Sequence, residues 1–253
     1  MTTSIDRLSS TKTAAKRILR RLGIDVGLYR NTLGGARRDL LLSHIDLVID
    51  VGAHAGEYGE MLRAAGYSGK IVSFEPITSH FERLSARTRT DHAWECRRCG
   101  VGSRSGVAVI NVSGNDGFSS SILPMGKAHE DAVAESRYER TEEIEIVSLD
   151  DSQLDLSADR KGAYLKVDAQ GYEREVLAGA EATLATCLAV ELELSLSQLY
   201  EGQPLIGDML DLMKQYGFIP TQIEPEFIDP HTGEILQVNC LFVSSRPKSS
   251  EPK

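Results

Sequence analysis

The sequence LVIDVGAHAG, residues 47–56, joins a short apolar run to a turn that contains glycine. A continuous apolar run of this length is typical of a strand that is buried on both faces. Gly52 and Gly56 let the backbone turn tightly and approach a ligand closely. The helix expected at residues 57–66 directs its N-terminus at the same point. The stretch therefore predicts the nucleotide-cofactor corner of a doubly wound α/β sheet.

After the first predicted strand, helices and strands alternate along the chain, and this alternation predicts a mostly parallel sheet. Two further strands, 218–224 and 235–244, are joined by the short turn at residues 229–233, so they are expected to pair antiparallel. A polar insertion, residues 124–142, is predicted as a helix or mobile loop between strands. The other predicted strands are 70–74, 93–101, 107–112, 143–149, 164–168 and 188–194, and the other predicted helices are 78–88, 173–185 and 205–216.

The chain has 253 residues, of which 41% are hydrophobic, and this composition suits one catalytic domain. It contains no apolar run long enough for a membrane span and no signal peptide at its start, so we expect a cytoplasmic protein. The net charge is -9, with residues 1–40 carrying +6 and the remainder -15. An acidic body argues against a nucleic-acid partner.

Residues 12–24, KTAAKRILRRLGI, repeat apolar side chains at helical spacing and place Lys and Arg on the other face. This pattern predicts a basic amphipathic helix that caps the domain. Weak contact with a membrane surface and a role as a substrate lid are the alternatives. The predicted organisation is a helical extension at residues 1–43, a catalytic domain at 44–246 and a disordered tail at 247–253.

Glu75 ends the second predicted strand, 25 residues after Asp50. A carboxylate at this point can accept hydrogen bonds from both hydroxyls of a ribose, which suits S-adenosylmethionine and NAD alike. The dinucleotide fingerprint is GxGxxG, and its second glycine is replaced here by His54. S-adenosylmethionine has no pyrophosphate to cradle, so the loop favours this methyl donor. An NAD-dependent oxidoreductase and a non-catalytic cofactor-binding module remain the alternatives.

Five blocks of this sequence, in the same order, resemble the FkbM family of methyltransferases over residues 44–244. The blocks are DVGAHAGEYGEMLR, IVSFEP, LKVDAQGYEREVLAGAE, ELELSLSQLYEG and FIDPHTGEILQVNCLF. The resemblance implies a class I, Rossmann-like methyltransferase fold and O-methylation of a hydroxyl on a sugar, glycolipid or secondary metabolite. Two positions depart from the family pattern: His54 stands where Asn is usual, and Asn239 where Asp is common.

The motif and the resemblance together predict the residues that bind S-adenosylmethionine. Most of them lie in the first glycine turn or at the end of the second strand, and the rest lie in the insertion and after the 164–168 strand. The predicted cofactor-binding residues are Asp50, Gly52, His54, Gly56, Tyr58, Glu75, Pro76, Ser119, Asp168 and Gln170.

Asp168 follows a central strand, where a carboxylate can remove the proton of an acceptor hydroxyl or orient it. Its alternative role is to cap the next helix. Glu191 and Glu193 share one face of a buried strand and are expected either near the acceptor or in a salt bridge. His129, in the insertion, is a further candidate base, with simple exposure as the alternative.

No metal-binding residue is predicted, although Asp168, Glu191 and Glu193 are possible oxygen ligands. The pair Cys96 and Cys99 lacks a second CxxC motif and is expected to hold reduced thiols. The expected partner is a small-molecule or glycan acceptor, and a homo-oligomer is compatible with the sequence.

Overall fold

The computed structural model describes residues 35–157 and 161–245. The basic helix predicted at 12–24 and the tail at 247–253 lie outside these residues, so they stay predictions, as do the domain boundaries. The described helices are α1 (Gly35–His44), α2 (Glu57–Ala64), α3 (Thr78–Thr88), α4 (Lys127–Ala132), α5 (Glu173–Ala178), α6 (Glu181–Thr186) and α7 (Ile206–Gln215). Within the described residues, none of the helices combines the length and the apolar character needed to cross a bilayer.

Seven strands form the main sheet, in the order β3-β2-β1-β7-β8-β10-β9. All neighbouring pairs are parallel except those that β10 makes with β8 and β9. The predicted fold class is thereby confirmed, including the antiparallel C-terminal pair. The strands are β1 (Leu47–Val51), β2 (Lys70–Phe74), β3 (Trp94–Arg97), β7 (Ala163–Val167), β8 (Cys187–Ser195), β9 (Phe218–Ile228) and β10 (Ile235–Ser244).

The strand order reverses beside β1, because the chain runs outward through β2 and β3 and returns to the other side of β1 as β7. Ligands of doubly wound sheets bind at such a switch point, outside the carboxyl ends of the strands. All five residues of β1 are buried, which agrees with a strand covered on both faces. The fold therefore brings the ends of β1, β2 and β7 together at one edge.

A second, three-stranded sheet lies between β3 and β7 in the chain. It consists of β4 (Gly100–Val101), β5 (Gly106–Ser113) and β6 (Tyr138–Val147), in the order β4-β6-β5. Side chains of β5 and β6 form a small apolar cluster with the segment that follows β2. Its buried members are Ile77, Ile110, Val112, Ile144 and Ile146.

Three predicted elements differ from the observed ones. The strand predicted at 93–101 is divided between β3 of the main sheet and β4 of the small sheet. The helix predicted at 173–185 breaks after Ala178, and the Asp150 carboxylate accepts the amides of Ala182 and Thr183 at the start of α6. The insertion contains α4, but its last residues already belong to β6. The first part of β6 is mostly exposed, so the sequence lacks the alternation that marks a half-buried strand.

Candidate functional site

A pocket of about 730 Å³, counting the space at its mouth, opens at the carboxyl ends of β1, β2 and β7. Its walls are largely apolar, and the small sheet contributes Ile110 and Ile144 to them. A mostly apolar wall with a few convergent polar groups is typical of small-molecule and cofactor sites. The polar residues on its lining are His54, Glu75, His80, Ser120, Ser121, Asp168, Gln170 and Tyr172.

Gly52 forms the floor of this pocket, in the turn after β1. Its φ of 76° is in the left-handed region, and a Cβ built there would overlap the carbonyl oxygen of Asp168. The backbone after β7 therefore passes directly against the glycine turn, because Gly52 has no side chain. The two segments that line the floor are fixed to each other by this close approach.

The Glu75 carboxylate lies at the end of β2 and is only 4% exposed. Its Oε2 accepts a hydrogen bond from the His54 amide at 2.9 Å, and its Oε1 accepts one from the Ile77 amide at 2.8 Å. Each carboxylate oxygen has a second lone pair that remains able to accept a further bond. The backbone thus orients Glu75 and leaves it acceptor capacity for a ligand.

His54 lies in the same turn with a left-handed φ of 50°. Its ring stacks on Phe118 at a centroid distance of 4.3 Å and meets the ring of His80 at 4.2 Å. Its Nδ1 is 3.2 Å from the Glu57 carboxylate, and its Nε2 is 2.8 Å from the carbonyl oxygen of Asp116. His54 therefore connects the cofactor turn to the loop that follows β5.

Asp168 lies directly after β7 and has a side chain that is 33% exposed. The side-chain Nε2 of Gln170 donates to Asp168 Oδ1 at 2.9 Å, and the Lys166 ammonium lies 3.4 Å from Asp168 Oδ2. Asp168 does not cap the next helix: α5 begins after Tyr172 without a side-chain cap. Its carboxylate is instead held at the edge of the pocket with one face toward the open space.

Ser73, Asp50, Lys166 and Glu191 lie side by side on four neighbouring strands, in register, and form a buried polar row across the sheet. Ser73 donates to Asp50 at 3.0 Å, and Lys166 Nζ is 3.6 Å from the other oxygen of Asp50. Tyr58 donates to Glu191 Oε2 at 2.9 Å. The row lies beneath the floor of the pocket and fixes Lys166 below Asp168.

Lys166 is the ammonium group of this row. Burial by itself would lower the pKa of Lys166, but the surrounding carboxylates outweigh burial and raise that pKa above its usual range. These carboxylates are those of Asp168, Asp50, Glu191 and Glu193. Lys166 is consequently a fixed positive charge, and its attraction partly offsets the burial that raises the pKa values of Asp50 and Glu193.

Two buried glutamates close to Asp168 and Gln170 hold protons more strongly than usual. Burial raises the pKa of Glu193 well above its ordinary value, with Asp168 adding to the effect, and Glu193 accepts bonds from Gln170 at 2.6 Å and Gln237 at 2.9 Å. Burial also raises the pKa of Glu173 to about 7. Glu173 Oε1 accepts the amides of Ala169 and Gly171, so it supports the turn that carries Gln170.

Six of the predicted site residues line the pocket, and the others lie behind it. The residues on the lining are Gly52, His54, Glu75, Pro76, Asp168 and Gln170. Asp50, Tyr58 and Glu191 belong to or contact the polar row, and Gly56 packs toward Trp94. Ser119 bonds through Oγ to the ring of His129 at 3.0 Å, and neither residue reaches the lining.

His129 is 3% exposed, and burial lowers its pKa to about 4. Its ring packs edge-on against Tyr200 at 5.3 Å and near Phe227 at 5.4 Å. The ring therefore stays neutral over most of the physiological range and lies in an apolar cluster. The sequence placed it in a charged segment and could not show this burial.

Several lining residues were not predicted from the sequence. His80 was not among the predicted site residues, yet it lines the pocket beside His54. Phe118, Ile122 and Tyr172 also line it. The apolar residues carry no chemical signal in a sequence, whereas a histidine four residues after the end of the Phe74-Glu75-Pro76 block could have been recognised as close to the cofactor turn.

The family model described as the methyltransferase FkbM domain matches residues 50–220. No curated protein gives a significant match. Among solved structures, magnesium protoporphyrin IX methyltransferase from Synechocystis PCC 6803 with bound SAM has a TM-score of 0.45 at 11% identity, covering 92% of this chain and 97% of that one. The 1,6-didemethyltoxoflavin-N1-methyltransferase of Burkholderia thailandensis has a TM-score of 0.41 at 13% identity, covering 94% and 88%. An rRNA methylase from Streptococcus thermophilus has a TM-score of 0.45 at 12% identity, covering 83% of this chain and 93% of that one.

Proposed function

Since the chain belongs to the FkbM family of S-adenosylmethionine-dependent methyltransferases, we propose that it transfers the methyl group to a hydroxyl of a sugar, glycolipid or secondary metabolite. The observation that carries this proposal is Asp168, a partly exposed carboxylate that lines the same pocket as Glu75. O-methylation needs an oxygen aligned behind the methyl group and an acceptor for its proton.

The pocket residues fit the cofactor of this family. Glu75 retains acceptor capacity for a ribose diol, and the apolar wall around Phe74 and Ile77 suits a flat heterocycle. Gly52 lets the backbone after β7 approach the cofactor turn, because a Cβ there would overlap the carbonyl oxygen of Asp168. When bound, S-adenosylmethionine supplies an activated sulfonium methyl group as the electrophile.

Asp168 is the residue that we propose to orient the acceptor hydroxyl and to take its proton. The Gln170 amide holds one of its oxygens, and the other lies 3.4 Å from the Lys166 ammonium. A neighbouring ammonium weakens a carboxylate as a base, but the methyl donor is already activated, so orientation is the larger contribution. The geometry favours Asp168 over the other two candidates, because Glu191 is bonded to Tyr58 below the floor and His129 is buried outside the lining.

The proposed acceptor is a small molecule or glycan rather than a nucleic acid. Residues 41–253 carry a net charge of -15, which repels a phosphate backbone. The hydroxyl class rests on the association of the family with sugars and secondary metabolites. Cytoplasmic location stays a prediction.

The first experiment is calorimetric titration of the purified protein with S-adenosylmethionine, S-adenosylhomocysteine and NAD. Binding of both adenosyl ligands and not of NAD supports the cofactor assignment, whereas NAD binding alone would overturn it. Release of S-adenosylhomocysteine is then measured with a panel of hydroxylated glycans and metabolites, with RNA as a comparison.

Asp168→Asn tests the catalytic role, with Asp211→Asn on the exposed face of α7 as the matched control. We expect Asp168→Asn to lower kcat by about 10²–10⁴-fold, the range of general acid–base catalysis, while cofactor affinity stays nearly unchanged. Full turnover in a folded Asp168→Asn protein would refute the assignment. Turnover with RNA alone would refute the acceptor class.

A further inference from the structure

Three side chains from separate elements converge at the outer rim of the pocket. One ring nitrogen of His54, one of His80 and one carboxylate oxygen of Asp116 lie within 4.8 Å of one another. His54 follows β1, His80 lies in the first turn of α3, and Asp116 follows β5. Imidazole and carboxylate are the ligands that Zn²⁺ takes in sites with an open coordination position.

His80 is 4% exposed, and its Nδ1 makes no hydrogen bond within the part of the chain that the structure describes. The nearest carboxylate oxygen is Glu75 Oε1 at 3.8 Å, which is beyond hydrogen-bond distance. If Nδ1 carries the proton toward Glu75, the lone pair on Nε2 is left for a metal ion.

His54 directs both ring nitrogens at oxygen acceptors. Nδ1 is 3.2 Å from the Glu57 carboxylate, and Nε2 is 2.8 Å from the Asp116 carbonyl. A neutral imidazole has one N–H, so it can donate to only one of these oxygens. A carboxylate that accepts from Nδ1–H is the partner that commonly orients a zinc-bound histidine. The surroundings of His54 therefore suit a metal ion at Nε2.

Asp116 can bind such an ion at little cost in stability. Its side chain is 58% exposed and pairs with Arg83 at 2.9 Å and 3.1 Å, an exposed pair that contributes little to stability. The next residue, Gly117, has a φ of 79°, and a Cβ there would overlap the His80 ring. Glycine thus lets the Asp116 turn lie directly on the imidazole.

We propose that His54, His80 and Asp116 bind a divalent transition-metal ion, with Zn²⁺ as the expected species. Zinc bond lengths place tetrahedral ligands about 3.3 Å apart, so the three ligand atoms need to approach one another by at most about 1.5 Å. The fourth position is left to water or to the Asp116 carbonyl. This inference goes beyond the methyl-transfer function and does not rest on it. No contiguous sequence motif identifies the site, because its ligands come from three segments of the chain.

The test is titration of Zn²⁺ into metal-free full-length protein, followed by calorimetry or a competing chromogenic chelator. We expect binding of one ion, and loss of affinity by more than about 100-fold in His54→Asn and in Asp116→Asn. Glu57→Gln removes only the orienting carboxylate and is expected to lower affinity by about 10–100-fold. His92→Asn, an exposed histidine elsewhere, is the control and is expected to bind as wild type.

Absence of Zn²⁺ binding by the wild type would overturn the proposal. Unchanged affinity in both His54→Asn and Asp116→Asn would overturn it as well. Co²⁺ substitution adds a spectroscopic criterion, since a thiolate charge-transfer band would assign the ion to a cysteine such as Cys96 instead. Circular dichroism shows that the variants are folded, and S-adenosylhomocysteine binding by Asp116→Asn reports on the proposed function separately from the metal.

Discussion

Replacing Glu173 by glutamine isolates the free energy of one buried carboxyl. Glu173 is 4% exposed, and burial raises its pKa from 4.5 to about 7. Each tenfold change in proton affinity corresponds to about 1.4 kcal/mol, so ionising Glu173 in the folded protein costs up to about 3 kcal/mol. Because the pKa of the folded state is the higher one, this stabilising contribution is complete below about pH 4.5 and is lost as the pH rises through about 7.

Glutamine keeps an oxygen that can accept the amides of Ala169 and Gly171 but cannot ionise. The stability of Glu173→Gln relative to wild type should therefore increase by about 3 kcal/mol between about pH 4.5 and about pH 8. Urea unfolding at several pH values measures this difference. Glu181→Gln, at an exposed position on α6, should follow the wild-type curve. Parallel curves for wild type and Glu173→Gln would refute the reasoning.

Three further predictions concern the floor of the pocket. Glu75→Gln removes the charge available to a ribose diol, so calorimetry should show S-adenosylhomocysteine affinity reduced by about 10–100-fold; an unchanged affinity would place the ribose elsewhere. Lys166→Met leaves Asp50 buried without its ammonium at 3.6 Å, so urea unfolding near pH 7 should show a loss of about 3–5 kcal/mol, and adding Asp50→Asn should recover part of it; strictly additive losses would argue against the pairing. Gly52→Ala should lower stability more than Gly202→Ala, because both have a φ near 75° but only Gly52 also meets a carbonyl oxygen; equal losses would mean that the backbone conformation alone matters.

The parallel sheet and its cofactor edge could be predicted because they depend on local signals. The apolar run 47–51, the glycine turn and Glu75 at the end of β2 each mark the carboxyl end of a strand, and parallel strands bring those ends to one edge. Asp168 was predicted for the same reason. These residues line the pocket because the order of the strands, and not the detail of packing, puts them there.

The rest of the site depends on contacts between distant segments, which a single sequence does not encode in a recognisable pattern. His129 lies in a segment rich in charge, yet the packing of α4 against Tyr200 buries it. His80 occupies an ordinary helical position, and its closeness to His54 follows from the angle at which α3 leaves β2. The small sheet supplies an apolar wall from β5 and β6, whose first residues show no burial pattern.

The polar row beneath the pocket has a consequence for the way this enzyme can be altered. Lys166 is shared by two carboxylates, that of Asp50 near the end of β1 and that of Asp168 at the edge of the pocket. A substitution at Asp168, the proposed acceptor residue, therefore also alters the charge balance around Asp50. Exchange of acceptor loops between relatives should succeed most readily when these residues and Glu191 are transferred together as one module.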